Sequence, residues 1–122
     1  MGADYAQRAP HVAALVDLVT ANGFDGIDLD YEAMNFGGTA TDKASARNGF
    51  VTLVRELGAA LDRQGRLLSV TVGARTRVDD PNWSVFDYAG IGPAADRFRI
   101  MTYDYHWRAP VLGQHGAQLS VT

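Results

Sequence analysis

Gly26-Ile27-Asp28-Leu29-Asp30-Tyr31-Glu32 alternates apolar and acidic side chains without a break from Ile27 onward. Period-two alternation marks a β-strand, because successive Cβ atoms point to opposite faces. Asp28, Asp30 and Glu32 therefore share one face as a column of carboxylates, with about 6.6 Å between successive members. Ile27, Leu29 and Tyr31 share the other face, the one a covering helix would take. Taken alone, such a strand also suits an antiparallel sheet with one solvated face. The neighbouring segments decide against that reading.

Upstream, Val12, Leu15, Val16 and Val19 recur at helical spacing within residues 8–22, and Gly23 follows as a stop signal. Downstream, residues 35–42 form a Gly/Thr-rich stretch that reads as a loop. A second helix over residues 44–63 puts Phe50, Leu53, Val54, Leu57 and Leu61 on one face, with Gly65 beyond its end. Residues 67–72 are largely apolar, as expected of a buried strand. Asp79-Asp80-Pro81-Asn82 signals a turn, residues 84–88 a short helix, and residues 97–105 a third strand. Strands alternating with helices predict parallel β/α units. A doubly wound sheet and a segment of an eight-stranded barrel both satisfy this order. The dinucleotide and phosphate-loop fingerprints are absent, which weakens the nucleotide-binding version of the first. A parallel sheet leaves little room for a merely solvated acidic face. In a barrel that face points along the interior toward the C-terminal mouth.

Composition narrows the function classes. The chain has 122 residues, 47% of them hydrophobic and 20% charged, which is ordinary for one globular domain. A net charge of −3 with no dense Lys/Arg cluster argues against nucleic acid as a partner. The absence of cysteine excludes disulfides, thiolate catalysis and Cys-ligated zinc. No apolar run approaches the length of a membrane span, so no membrane partner is expected. Met1-Gly2-Ala3-Asp4-Tyr5 lacks the basic start and apolar stretch of a signal peptide. An export signal for a secreted or cell-envelope parent would lie outside this chain. His11 and His115 have no partners at ligand spacing, so no metal site is expected.

Three close carboxylates cannot all ionise cheaply, so protons are shared and at least one pKa rises. A carboxylic acid still protonated near neutral pH is what a departing sugar oxygen needs. Glu32 stands nearest the C-terminal end of the strand and has the longest reach, which makes it the proton-donor candidate. Asp30 is its partner, and Asp28, deeper in the column, a charge and hydrogen-bond relay. A different use of the same column, holding magnesium through oxygen ligands, would make the protein a metal-dependent hydrolase.

The stretch Phe24-Asp25-Gly26-Ile27-Asp28-Leu29-Asp30-Tyr31-Glu32 resembles the signature of glycoside hydrolase family 18, which includes chitinases and spore-cortex hydrolases. Asp25, Asp28, Asp30 and Glu32 meet its spacings of three, two and two. Met101-Thr102-Tyr103-Asp104-Tyr105-His106 resembles the sixth barrel strand of the same family. The resemblance implies a fold class of α/β, a partial (β/α)8 barrel from roughly the third helix to the sixth strand. Residues 1–122 would then be a fragment of one catalytic barrel, lacking the first three strands and the last two. It further implies substrate-assisted cleavage of β-linked N-acetylglucosamine in chitin or peptidoglycan, with no cofactor and no metal. By the same resemblance Asp30 orients the acetamido group, Tyr103 bonds its carbonyl, Asp104 holds the distorted sugar and Met101 faces the substrate. Asp25 either shapes the turn into the strand or supports the site. Trp83 and Trp107 are candidates for stacking on sugar rings. His106, Arg75, Arg77 and Arg97 read as surface residues. The family also contains lectin-like members, which typically lack the terminal Glu that stands here as Glu32. A three-stranded segment alone would expose two sheet edges and favour self-association.

Overall fold

The computed structural model describes residues 5–75 and 83–103. Helix α1 (Tyr5–Ala21) leads into strand β1 (Gly26–Leu29), a short 3₁₀ turn (Ala33–Asn35) and helix α2 (Ala40–Asp62). Strand β2 (Leu67–Gly73), the one-turn helix α3 (Tyr88–Ile91), a second 3₁₀ turn (Gly92–Ala94) and strand β3 (Arg97–Met101) complete the order. The strands form one parallel sheet in the order β1-β2-β3. Right-handed crossovers that step in one direction across a sheet put their helices on one face. Sequential strand order fits the winding of a barrel segment, and over three strands it also fits one half of a doubly wound sheet. A doubly wound sheet reverses direction only between its two halves, beyond three such strands.

The apolar halves of the alternation meet in one core. Leu29, Leu68, Val70 and Val72 from the sheet are no more than 1% exposed, and so are Val54, Leu57 and Leu61 of α2 and Val19 of α1. Burying a side chain of this size contributes about 1.5–3 kcal/mol. Val85, Phe86 and Ile91 close the cluster, and Val12, Leu15 and Val16 pack against its edge. Helix α1 is fastened to α2 by a fork in which Arg8 Nε and Nη2 donate to Glu56 at 2.7 and 3.1 Å. Asp96 clasps Leu68 from both sides: its N–H donates to the Leu68 carbonyl at 2.8 Å and its carboxylate accepts from the Leu68 N–H at 2.7 Å. That clasp leads β3 in with Arg97 opposite Ser69. Phe98 and Ile100 stay 38% and 49% exposed on the outer strand. Among the described residues no helix is long and apolar enough to cross a membrane.

The bounds of α2, α3 and β3 differ from expectation, each for a local reason. Helix α2 begins at Ala40 because Thr39 and Asp42 form a capping box: Thr39 Oγ1 accepts from the Asp42 N–H at 3.2 Å, and Asp42 accepts from the Thr39 N–H at 2.8 Å. That backbone bond is the chief reason the Asp42 carboxyl lies below its usual pKa range. Helix α3 begins at Tyr88, later than expected, because the Asp87 carboxylate caps it through the Gly90 N–H at 3.0 Å. Strand β3 ends at Met101, where its pairing with Gly73 ends.

Gly58, inside α2, faces the turn at Gly92–Ala94 so closely that an added Cβ would lie 2.3 Å from the Ala94 carbonyl oxygen. Helix propensity alone favours Ala over Gly by about 0.8–1.0 kcal/mol. Overpacking costs typically about 1–3 kcal/mol, so Gly58→Ala is expected to lower stability by about 1 kcal/mol net. A urea unfolding midpoint that rises in this variant would show that α2 and the turn do not meet so tightly.

Candidate functional site

One face of the sheet is apolar and covered; the other carries Asp28, Ser69, Thr71, Arg97, Arg99 and Met101. The register puts Asp28 opposite Ser69 and Thr71 opposite Arg99. Thr71 Oγ1 donates to Asp28 Oδ2 at 2.6 Å, and Arg99 Nε lies 3.5 Å from Asp28 Oδ1. Asp28 thus sits in a small polar cluster reached from β2 and, across it, from β3. Its Oδ1 is buried without a hydrogen bond, as is Ser69 Oγ.

Past Asp28 the chain leaves the sheet. The β1 ladder ends at Leu29, opposite Val70. Asp30 is exposed. Tyr31 turns the other way, into the helical layer, with its hydroxyl 2.7 Å from His11 Nε2 and its ring 6.5 Å from that of Phe50. Burial pushes the Tyr31 phenol above its ordinary pKa. The alternation of faces therefore persists through Tyr31, although the pairing does not. Glu32 breaks the strand outright: its backbone is right-handed helical (φ −98°, ψ −34°) and opens the turn at Ala33–Asn35. The expected strand from Ile27 to Glu32 is corrected to one ending at Leu29, with Glu32 on the turn that follows.

Asn35 explains the break. Its N–H and Nδ2 donate to the Glu32 carbonyl at 2.9 and 3.3 Å, which draws the chain into a turn. Its side chain is buried, and its Oδ1 accepts from the Val85 N–H at 3.2 Å, tying the acid-bearing segment to the loop before α3. The sequence reads Asn35 as part of a loop, with no role of its own. An Asn beside Gly37 and Gly38 looks like any turn former. The His11–Tyr31 bond was missed as well, because nothing in a 20-residue separation announces it.

The other candidates are dispersed. Met101 is buried at the end of β3, opposite Gly73. Tyr103 lies past the end of that strand and is exposed. Asp104, His106 and Trp107 fall outside the described residues, as does Arg77. Asp25 stands exposed at the entry to β1, where its carbonyl accepts from the Leu67 N–H at 2.9 Å. At a strand rise of about 3.3 Å per residue, that is roughly 13 Å before Leu29, at the far end of the strand from Glu32. Among the described residues no group of three or more His, Asp or Glu side chains is arranged to hold a metal ion.

Two residues do something other than expected. Trp83, a candidate for sugar stacking, packs instead. Its ring lies parallel to Phe86 at 5.9 Å and edge-on to Phe36 at 5.2 Å. It also covers Gly73 so closely that any Cβ there would overlap the indole, at 1.9 Å. Trp83 holds the left-handed backbone conformation, φ 59°, which is uncommon for a bulky residue. Arg75, read as a surface residue, donates through Nη1 to the Phe86 carbonyl at 3.1 Å and stands 5.9 Å from the Tyr88 ring centre. The Tyr88 hydroxyl in turn bonds the Gly73 carbonyl. Arg97 is exposed as expected.

Comparison with known proteins places these features in a family. The family described as "Glycosyl hydrolases family 18" matches residues 1–121. A Drosophila melanogaster protein named "Probable chitinase 10" is 34% identical over 105 residues, which is 81% of this chain and 4% of that protein. A class V chitinase from Pseudomonas fluorescens superposes with a TM-score of 0.73 at 31% identity, covering 85% of this chain and 29% of that one. Catalytic domain 2 of an Ostrinia furnacalis Group II chitinase, solved with a chitooligosaccharide, superposes with a TM-score of 0.69 at 35% identity. That match covers 84% of this chain and 27% of that one. The chain therefore spans less than a third of each of these proteins.

The Asn35 bridge can be tested by stability alone. Asn35→Ala leaves the Val85 N–H without its acceptor, and a buried donor left unsatisfied costs about 1–3 kcal/mol. Chemical denaturation is expected to show a loss in that range. Unchanged stability would mean that Asn35 is not what holds the turn.

Proposed function

Because this chain belongs to glycosyl hydrolases family 18, we propose that it forms the acid-bearing wall of a barrel that hydrolyses β-1,4-linked N-acetylglucosamine polymers, with Glu32 as the proton donor. The observation that carries the reading is the placement of the acids. Asp28 lies on the inner sheet face with Met101, and the chain then runs through Asp30 to Glu32 beyond the C-terminal end of β1. In barrels of this class, that end of the strands is where chemistry takes place. The Ostrinia chitinase solved with a chitooligosaccharide, to which this chain is 35% identical, supports a glycan as ligand.

In the proposed reaction the acetamido oxygen of the bound sugar attacks its own anomeric carbon. The glycosidic bond breaks as Glu32 gives its proton to the departing oxygen. Asp30 orients the acetamido N–H and offsets the positive charge of the oxazolinium ion. Water then adds to the anomeric carbon and returns its proton to Glu32, so the configuration is retained. Asp28, tied to Thr71 and facing Arg99, supports Asp30 from below. Tyr103 bonds the acetamido carbonyl, Asp104 holds the distorted ring and Met101 lines the floor. Chitin and peptidoglycan both offer the required sugar, and both lie outside the cell membrane, which makes the protein a secreted or cell-envelope enzyme. The mechanism needs neither metal nor cofactor.

Two measurements on the full gene product test this. Glu32→Gln keeps the shape of the side chain but has no proton to give, and proton donation typically contributes about 10²–10⁴-fold. Turnover of a chitooligosaccharide should fall by that order while binding, measured by calorimetry, persists; residual activity above about a tenth of wild type refutes the assignment. The second concerns the substrate. Substrate assistance requires the 2-acetamido group, so equal cleavage of plain glucosides and N-acetylglucosaminides would exclude it.

A further inference from the structure

We propose that His11, on a helix outside the barrel wall, is a positioning residue for the acid pair: through the Tyr31 hydroxyl it fixes the stretch beyond the end of β1 that carries Asp30 and Glu32. The inference rests on the catalytic reading of those two acids. It starts from where the sheet stops. The last paired residue of β1 is Leu29, so the backbone from Asp30 to Glu32 is held by no strand. Asn35 secures its far end at the Glu32 carbonyl. Between those two points Tyr31 reaches back into the protein.

Tyr31 packs against the edge of the core without being enclosed by it. Its ring meets Phe50 at 6.5 Å on one side, but it also borders a cavity of about 210 Å³ between α1 and α2, lined by Gln7, Arg8, His11, Met34 and Phe50. A ring beside empty space can shift without a clash. The hydrogen bond of 2.7 Å to His11 Nε2 fixes its tip, with the two rings 6.0 Å apart and tilted by 36°. The phenol hydroxyl can donate as well as accept, so the contact forms with either tautomer of the His11 ring.

The anchor is itself anchored. Arg8 lies three residues before His11 on the same side of α1, and its fork to Glu56 clamps α1 to α2. A continuous chain therefore runs from α2 through Glu56, Arg8 and His11 to Tyr31, whose backbone neighbours are the two acids. Moving a catalytic group by about 1 Å costs about 10²-fold in rate. Such a link therefore matters to the chemistry without touching the substrate.

The test uses the full gene product and a chitooligosaccharide, with His11→Leu, Tyr31→Phe, the double variant, and His11→Gln, whose amide can still meet the phenol. Each single variant is expected to lower kcat by about tenfold with KM changed less than about twofold, because aim rather than binding is lost. The double variant should be no worse than either single one, and His11→Gln should recover most of the rate. Folded fraction by circular dichroism should stay at the wild-type level at the assay temperature. Wild-type kcat in His11→Leu, losses that multiply in the double variant, or a loss tracking the unfolded fraction would each overturn the proposal. Glu32→Gln run beside them separates the two readings. If it is inert while His11→Leu is unaffected, positioning fails alone; if it stays active, the catalytic reading fails first.

Discussion

With Leu29 opposite Val70 in the parallel ladder, Leu29, Leu68, Val70 and Val72 all enter the helical layer, while Asp28, Ser69 and Thr71 all emerge on the other face. A one-residue slip of β1 would turn Asp28 into the core and Leu29 out of it, and a slip of β2 would do the same to Ser69 and Thr71 against Leu68, Val70 and Val72. The cost of such burial, against the gain from the four apolar side chains, holds the register. The apolar stripe of α2 depends on that register, since Val54, Leu57 and Leu61 have a wall to pack on in this alignment and not in the other. The placement of Asp28 beside Thr71 and Arg99 is the same constraint seen from the polar side.

Much of this was legible in the sequence because it depends on periodicity. The alternation from Ile27 onward assigned faces correctly as far as Tyr31, and the helical spacing of Phe50, Leu53, Val54, Leu57 and Leu61 identified the covering stripe. The end of β1 was not legible. It is set by Asn35 and by a backbone N–H 50 residues away at Val85, and no local pattern encodes a partner at that distance. The start of α2 stood in plain view as Thr39 and Asp42 three residues apart, but the glycines before it drew the reading toward a loop. For Trp83 and Arg75, residue type alone was a poor guide. Whether an aromatic ring is displayed or packed depends on which segment folds over it, and here Phe36, Phe86 and Tyr88 do so.

The candidate site divides along the same line. The acidic motif was visible because its spacing matches one face of a strand, and family membership follows over nearly the whole chain. The supports of that motif come from elsewhere: His11 from the preceding helix, Asn35 from the following turn, Thr71 from β2 and Arg99 from β3. Four elements thus converge on one short acidic segment, and none of the four supporting residues belongs to a motif.

The contact between Gly73 and Trp83 reaches beyond this one molecule. No side chain fits at position 73 while a large ring lies across it, and the ring in turn is held in a backbone conformation that bulky residues seldom adopt. The two positions are therefore locked into joint inheritance. A lineage that gains a side chain at 73 must first lose the indole at 83, whereas the reverse order of steps passes through a collision. Covariation between these two columns, with the change at 83 always the older, would be the historical trace of a single van der Waals contact.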